Sequence, residues 1–235
     1  MKPTVVLNTR PREQSGELSK LLHAAGFEVV EAPAIAIVPA WDAAVLEQIR
    51  GDLARGVFDW VVLPSQNAGR GLETELRRGA ARVLCGTATA RGLDVPAGQQ
   101  LERFSAAAAL DLLRTLVSPG QHVLVPRAAE GREELVDGLR ELHVTVVAPV
   151  AYTTVGVEAA ADRLRHGDID VLTVCSPSAV STTASAVTGA TRLVCLGHTT
   201  ADAARAHGLR VDGVAARPTM AALVDTVESC AGVRV

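Results

Sequence analysis

Arg10 and Arg127 each close a short apolar run and each precede a helical stretch by a few residues. Ser65 and Asn67 follow a second apolar run, Phe58 to Leu63, and Ser176 and Ser178 follow a third, Val171 to Cys175. A fourth run, Leu193 to Leu196, leads into Gly197-His198-Thr199-Thr200. Hydroxyls, an amide and guanidiniums placed at strand ends suit a ligand rich in carboxylates or phosphates. A glycine turn followed by a helix start adds free backbone N–H groups, which bind anions without a charged side chain. Tyr152 is the only tyrosine, and a phenol can donate a hydrogen bond to a leaving hydroxyl or pass it a proton. Each of these residues has an ordinary structural use as well. Ser, Thr and Asn cap helices, arginines form surface ion pairs, and a tyrosine can anchor an interface with its hydroxyl on water.

The elements that must position these groups alternate between strand and helix. Leu193 to Leu196 has the continuous apolar character of a strand buried on both faces. Thr199, with Asp202 three residues on, predicts a capped helix that stops at Gly208, and Leu209 to Val211 predict the next strand. The same unit occurs earlier as Arg82 to Gly86, but there Gly86 to Gly92 spans 6 residues where Gly197 to Gly208 spans 11. That shortening predicts that most of a helix is missing from the first copy. Arg10 and Arg127 are each followed by a leucine eight residues later, Leu18 and Leu135, and by a valine pair at 19 and 20 residues. Val61–Ala68 likewise parallels Leu172–Ala179, which sets Ser65 opposite Ser176. The chain therefore reads as two copies of one α/β unit, about 1–117 and 122–235. Strands alternating with helices through short loops predict parallel sheets with helices on both faces, and ligands beyond the carboxyl ends of the strands. Two similar lobes would face each other across a cleft. Phe27 to Val38 and Val144 to Tyr152 read as long extended runs able to span both.

Composition narrows the function classes. The chain has 235 residues, is 48% hydrophobic and only 3% aromatic, so Ala, Val and Leu must build the core. A net charge of −3 argues against a general nucleic-acid or membrane-surface binder. No apolar run approaches a membrane span, and the N-terminal Met1-Lys2-Pro3-Thr4 carries no signal peptide, which predicts a cytoplasmic protein. The four cysteines, Cys85, Cys175, Cys195 and Cys230, are far apart and read as free thiols. No CxxC or HxxxH pairing exists, so no metal site is expected. A P-loop, GxGxxG, GxSxG and HExxH are all missing, which removes most nucleotide, hydride-transfer and hydrolase readings.

The order of motifs resembles the uroporphyrinogen-III synthase family over essentially the whole chain. The matching pieces are T-R-P (9–11), L-P-S-Q-N-A (63–68), V-P-R-A-A-E-G-R-E-E-L (125–135), V-A-Y-T-T (150–154), V-C-S-P-S-A-V (174–180) and C-L-G-H-T-T-A-D-A-A-R-A-H-G-L (195–209). The resemblance implies an interleaved architecture, with one lobe from 1–37 plus 155–235, the other from 40–150, and connecting segments at 38–39 and 151–154. It implies closure of hydroxymethylbilane, a linear octacarboxylate tetrapyrrole, to uroporphyrinogen III with inversion of ring D and loss of water, using no cofactor and no metal. It places Tyr152 where a tyrosine assists departure of the hydroxyl. It implies a monomer, in transient contact with hydroxymethylbilane synthase. Arg10, Ser65, Asn67, Arg127, Ser176, Ser178, Gly197, His198, Thr199 and Thr200 would hold the substrate's acids. The alternative is a tetrapyrrole-binding or regulatory protein of the same fold that performs no turnover, a reading the short 86–92 turn favours. His143 stands where the family has a glycine before the connecting strand, and Pro64 where a threonine is common.

Overall fold

Three strands, Val5–Asn8, Trp60–Leu63 and Val171–Val174, are buried along their whole length. Their sequences, VVLN, WVVL and VLTV, are the near-continuous apolar runs expected of parallel strands covered on both faces. The computed structural model describes residues 3–79, 81–96, 98–102, 104–131 and 133–232. Met1, Lys2 and Arg132, which belong to stretches singled out in the sequence, lie outside the described residues, as do 233–235.

The chain divides into two units, Met1–Ala36 with Val155–Val235, and Ile37–Thr154. Each unit has a five-stranded sheet. In the first unit the order across the sheet is Gly213–Val214, Arg192–Cys195, Val171–Val174, Val5–Asn8, Glu28–Glu31. In the second it is Gln99–Leu101, Arg82–Gly86, Trp60–Leu63, His122–Leu124, Thr145–Val147. Every pairing in both sheets is parallel. Corresponding strands of the two sequence copies occupy corresponding places. Each sheet, however, takes two strands from one copy and three from the other, because the chain passes between units inside strands Ile35–Pro39 and Val150–Gly156. Those two strands and Arg127–Ala128 form a separate three-stranded sheet.

This order has a consequence for ligands. The strand order reverses between Val5–Asn8 and Val171–Val174 in one sheet, and between His122–Leu124 and Trp60–Leu63 in the other. Helices leave the sheet in opposite directions at such a point, which opens a crevice beyond the carboxyl ends of the two strands. Arg10 and Ser176 follow the first pair; Arg127 and Ser65 follow the second.

Several local expectations are corrected. The two long extended runs are each broken by a proline, giving Glu28–Glu31 and Ile35–Pro39 around Pro33, and Thr145–Val147 and Val150–Gly156 around Pro149. Residues 38–39 and 151–154 fall in strands Ile35–Pro39 and Val150–Gly156, inside which the chain passes between the units. Leu209–Val211 is not a strand; the edge strand is Gly213–Val214. Leu93 ends helix Thr87–Leu93, and the strand that follows is Gln99–Leu101.

The helix after Gly86 is present, as Thr87–Leu93. Gly92 lies inside it rather than ending it. A Cβ on Gly92 would sit 2.1 Å from Oε1 of Gln66, and one on Gly69 would sit 2.5 Å from Cδ1 of Leu93. These glycines let the short helices Gln66–Gly69 and Thr87–Leu93 pack together. The left-handed cap expected of glycine is taken by Asp94, at φ 51°.

Candidate functional site

Four of the residues singled out in the sequence, Ser65, Asn67, Arg127 and Tyr152, belong to the second unit. Trp60–Leu63 delivers Pro64 and Ser65, and His122–Leu124 delivers Arg127. Tyr152 lies on Val150–Gly156 in register with Ala128, and its carbonyl accepts the Ala129 N–H at 2.8 Å. Its half-buried ring packs on the core formed by Val61, Leu63, Cys85 and Leu124. The phenol oxygen lies 3.0 Å from Oγ of Ser65. Tyr152 borders two cavities. One, of about 430 Å³, is lined by Pro64, Phe104, Ser105, Arg127, Glu134 and Tyr152 among others. The other, of about 250 Å³, is lined by Trp41, Asn67, Arg70 and Tyr152 with Ile37 and Leu46.

Ser65 and Ser176, paired by the repeat, differ in what their hydroxyls do. Both stand at the N-cap of a helix with extended backbone. Ser176 Oγ accepts the Ala179 N–H at 3.2 Å, an ordinary cap that stabilises a helix by about 1 kcal/mol. Ser65 makes no side-chain cap; its hydroxyl is turned to Tyr152 instead.

Arg10 and Arg127 are held in matching ways. Nε of Arg10 donates to the Gln14 carbonyl at 2.8 Å, and Nη2 donates to Oε1 of the same residue at 3.2 Å. Nη1 of Arg127 donates to the carbonyl four residues on, Gly131, at 3.4 Å, and Nη2 pairs with Glu133 at 2.9 Å. Nε of Arg127 is buried without a hydrogen-bond partner. In the first unit the Arg10 backbone N–H donates to Oδ1 of the fully buried Asn8, whose amide donates to the Ser15 carbonyl and to Ser19 Oγ. Asn8 thus spends its polar groups fixing the turn that carries Arg10. Arg10, Arg12, Ser15, Glu31 and Pro33 line a cavity of about 250 Å³. Burial pushes the neighbouring Cys175 thiol up, and Arg10 opposes that by its charge and a hydrogen bond.

The first unit also presents two packed helix starts, Pro177–Thr183 and His198–Ala206. Ser178, His198 and Thr199 are exposed there, whereas Thr200 is buried at 5% exposure. The predicted Thr199 cap is corrected. The helix begins at His198, the N-cap is Gly197, and no side chain caps it. Thr199 is one residue inside, so the first-turn N–H groups stay uncovered by a hydroxyl. Asn67, in the second unit, is buried at 9%.

The family model for uroporphyrinogen-III synthase HemD matches residues 16–225. The chain belongs to this family. It is 30% identical over 190 residues to a Methanothermobacter thermautotrophicus protein provisionally named uroporphyrinogen-III synthase, covering 73% of each. It is 24% identical over 249 residues to the porphyrin biosynthesis protein HemD of Ruminiclostridium josui, covering 97% of this chain but only 49% of that protein, so the chain spans about half of it. The fold is that of the Helicobacter pylori uroporphyrinogen-III synthetase, with TM-score 0.65, 16% identity, and 97% and 99% of the two chains covered. A Thermus thermophilus uroporphyrinogen III synthase gives TM-score 0.61 at 16% identity, covering 99% and 100%.

In this family member some cavity residues escaped the sequence reading. Ser105, Ala106 and Ala107 bring the start of helix Ala106–Leu116 to the 430 Å³ cavity. Ser105 is an ordinary cap, accepting the Ala108 N–H at 3.1 Å, and nothing local in the sequence links it to Arg127. Glu134, at the start of helix Glu134–Arg140, and Trp41, just ahead of helix Ala43–Ala54, carry no local signal of a cavity either. Among the described residues, no group of three His, Cys, Asp or Glu could hold a metal ion, and no helix is long and apolar enough to cross a membrane.

Proposed function

We propose that this chain closes hydroxymethylbilane to uroporphyrinogen III, as a monomer in the cytoplasm, on substrate released by hydroxymethylbilane synthase. Membership of the family supports the tetrapyrrole class of substrate. The observation that carries the catalytic part is the Tyr152 phenol, set between two cavities and hydrogen-bonded to Ser65.

The steps need no group beyond side chains and backbone. The C–O bond of the substrate's hydroxymethyl group breaks with both electrons on oxygen. Tyr152 gives that oxygen its proton, and water leaves. The pyrrole nitrogen supplies electron density to the vacated carbon, giving an azafulvenium cation. That carbon bonds to the substituted carbon of ring D, forming a spiro centre. The bond from that centre to the methylene of ring C then breaks, and the methylene bonds to the unsubstituted α-carbon of ring D, which inverts the ring. The ring carbon that closes the macrocycle then loses a proton, which restores the phenol. Holding the two ends in the geometry for this bond is the larger part of the catalysis, because spontaneous closure takes the unsubstituted position.

Arg127, Asn67 and the turn at Ser65 would hold acids of the substrate in the second unit. Arg10, Ser176, Ser178 and the uncapped start at Gly197, His198, Thr199 and Thr200 would do so in the first, Thr200 through its backbone since its side chain is buried. The rival reading, binding without turnover, drew on the short turn after Gly86 and on the departures at Pro64 and His143. Thr87–Leu93 is present, which removes the first of these grounds. Feeding the protein hydroxymethylbilane and resolving the oxidised porphyrin isomers tests the proposal. Isomer I alone, the product of spontaneous closure, would sink it.

A further inference from the structure

Ser65 and Ser176 have nearly the same backbone, φ −151°, ψ 163° and φ −150°, ψ 155°. Both follow the central strand of a sheet and both precede a helix. With residue type and backbone matched, the different partners of their hydroxyls come from side-chain direction alone. Ser176 turns inward to the Ala179 N–H. Ser65 leaves its own helix start uncapped and turns to the chain's only tyrosine.

We propose that Ser65 is a positioning residue for Tyr152. The proposal rests on the reading that Tyr152 gives its proton to the departing hydroxyl. A phenol oxygen has one proton. When that proton is directed at the leaving group, the 3.0 Å contact can be completed only by the Ser65 hydroxyl donating to the phenol oxygen. This bond fixes the direction of the phenol O–H. It also strengthens as negative charge develops on the phenol oxygen, so it favours the transition state over the bound substrate. The Ser65 hydroxyl is therefore engaged with Tyr152 and does not itself meet a substrate carboxylate.

A single tyrosine makes the test clean. Protein labelled with carbon-13 at the tyrosine Cζ gives one resonance, that of Tyr152. Ser65→Ala is expected to move it, and Ser65→Thr, which keeps a hydroxyl, is expected to return it towards the wild-type position. With hydroxymethylbilane as substrate, Ser65→Ala is expected to lower kcat by roughly 10- to 100-fold with KM changed less than about twofold. Ser65→Thr should recover most of kcat. Because Ser65 does not cap its helix, Ser65→Ala should fold, which circular dichroism checks. An unmoved resonance in Ser65→Ala overturns the proposal whatever the rate does. A moved resonance with unchanged kcat overturns the positioning role, and a raised KM at unchanged kcat assigns Ser65 to substrate holding instead. If the wild-type chain forms no isomer III while the resonance still responds, the synthase reading fails and takes the kinetic role with it, while the hydrogen bond stands.

Discussion

Ser65 and Tyr152 are 87 positions apart in the chain, and their side-chain oxygens meet at 3.0 Å. One comes from the turn after a central strand of a five-stranded sheet. The other comes from a different sheet, on the strand that carries the chain out of that unit. The interleaving of the two sequence copies is what makes the meeting possible. Strand Val150–Gly156 must cross the second unit's reversal point on its way to the first unit, and it does so paired with Arg127–Ala128.

Arg127 is held by Glu133 and by the Gly131 carbonyl, with Nε left over in a buried position. A carboxylate is the natural partner for that nitrogen. Arg127→Ala is expected to raise KM for hydroxymethylbilane roughly 10-fold or more, with a smaller effect on kcat. Steady-state kinetics decide this, and an unchanged KM would remove Arg127 from substrate binding.

Ser176 caps a helix and Ser65 does not. Ser176→Ala should therefore cost about 1 kcal/mol of stability, and Ser65→Ala clearly less from capping. Urea denaturation of the two variants side by side measures the difference. A Ser176→Ala variant as stable as the wild type would contradict the assignment of its hydroxyl as a cap.

His143 takes φ 56° two residues before strand Thr145–Val147, and Gly26 takes φ 84° two residues before Glu28–Glu31. The same left-handed turn is thus built with glycine in one copy and with histidine in the other. A side chain there is strained, and His143 is exposed. His143→Gly is expected to stabilise the protein by about 0.5–1 kcal/mol, after the larger entropy of glycine in the unfolded chain is allowed for. Thermal melting should show a higher Tm; a lower one would mean that the histidine side chain makes a contribution of its own.

Cys195 is fully buried at the end of strand Arg192–Cys195, and burial pushes its thiol up from 9.0 to about 12. The unfolded chain loses this proton near pH 9 and the folded chain near pH 12, so the folded state binds more protons between those values. Stability from this group is complete below pH 9 and is lost as the pH rises towards 12. At pH 8 neither Cys195 nor fully buried Cys85 should react with a maleimide before denaturant is added. Mass spectrometry of modified peptides reads this directly, and rapid native modification of either would contradict the packing.

Much of the fold was legible because its signals are local or periodic. The buried strands are short apolar runs. The repeat showed itself in the fixed distance from each arginine to its leucine and valine pair. The motif order pointed to the family. The helix after Gly86 was misread because glycine ordinarily ends a helix. Here Gly92 answers to the Gln66 side chain, and Asp94 makes the turn that glycine would have made. Thr199 was misread as a cap for a similar reason. Both Gly197 and Thr199 suit a helix start, and only the backbone decides between them. The Ser65–Tyr152 contact has no sequence signal, since it depends on which strand crosses which turn.

The most direct measurement compares wild-type protein with Tyr152→Phe on hydroxymethylbilane, reading both the rate and the ratio of isomers III to I. The wild-type chain should give isomer III. Tyr152→Phe should slow its formation on the order of 100-fold, so that spontaneous isomer I dominates, while the fold and product binding are kept. Wild-type protein that yields only isomer I, or a Phe variant that makes isomer III at the wild-type rate, would contradict the account.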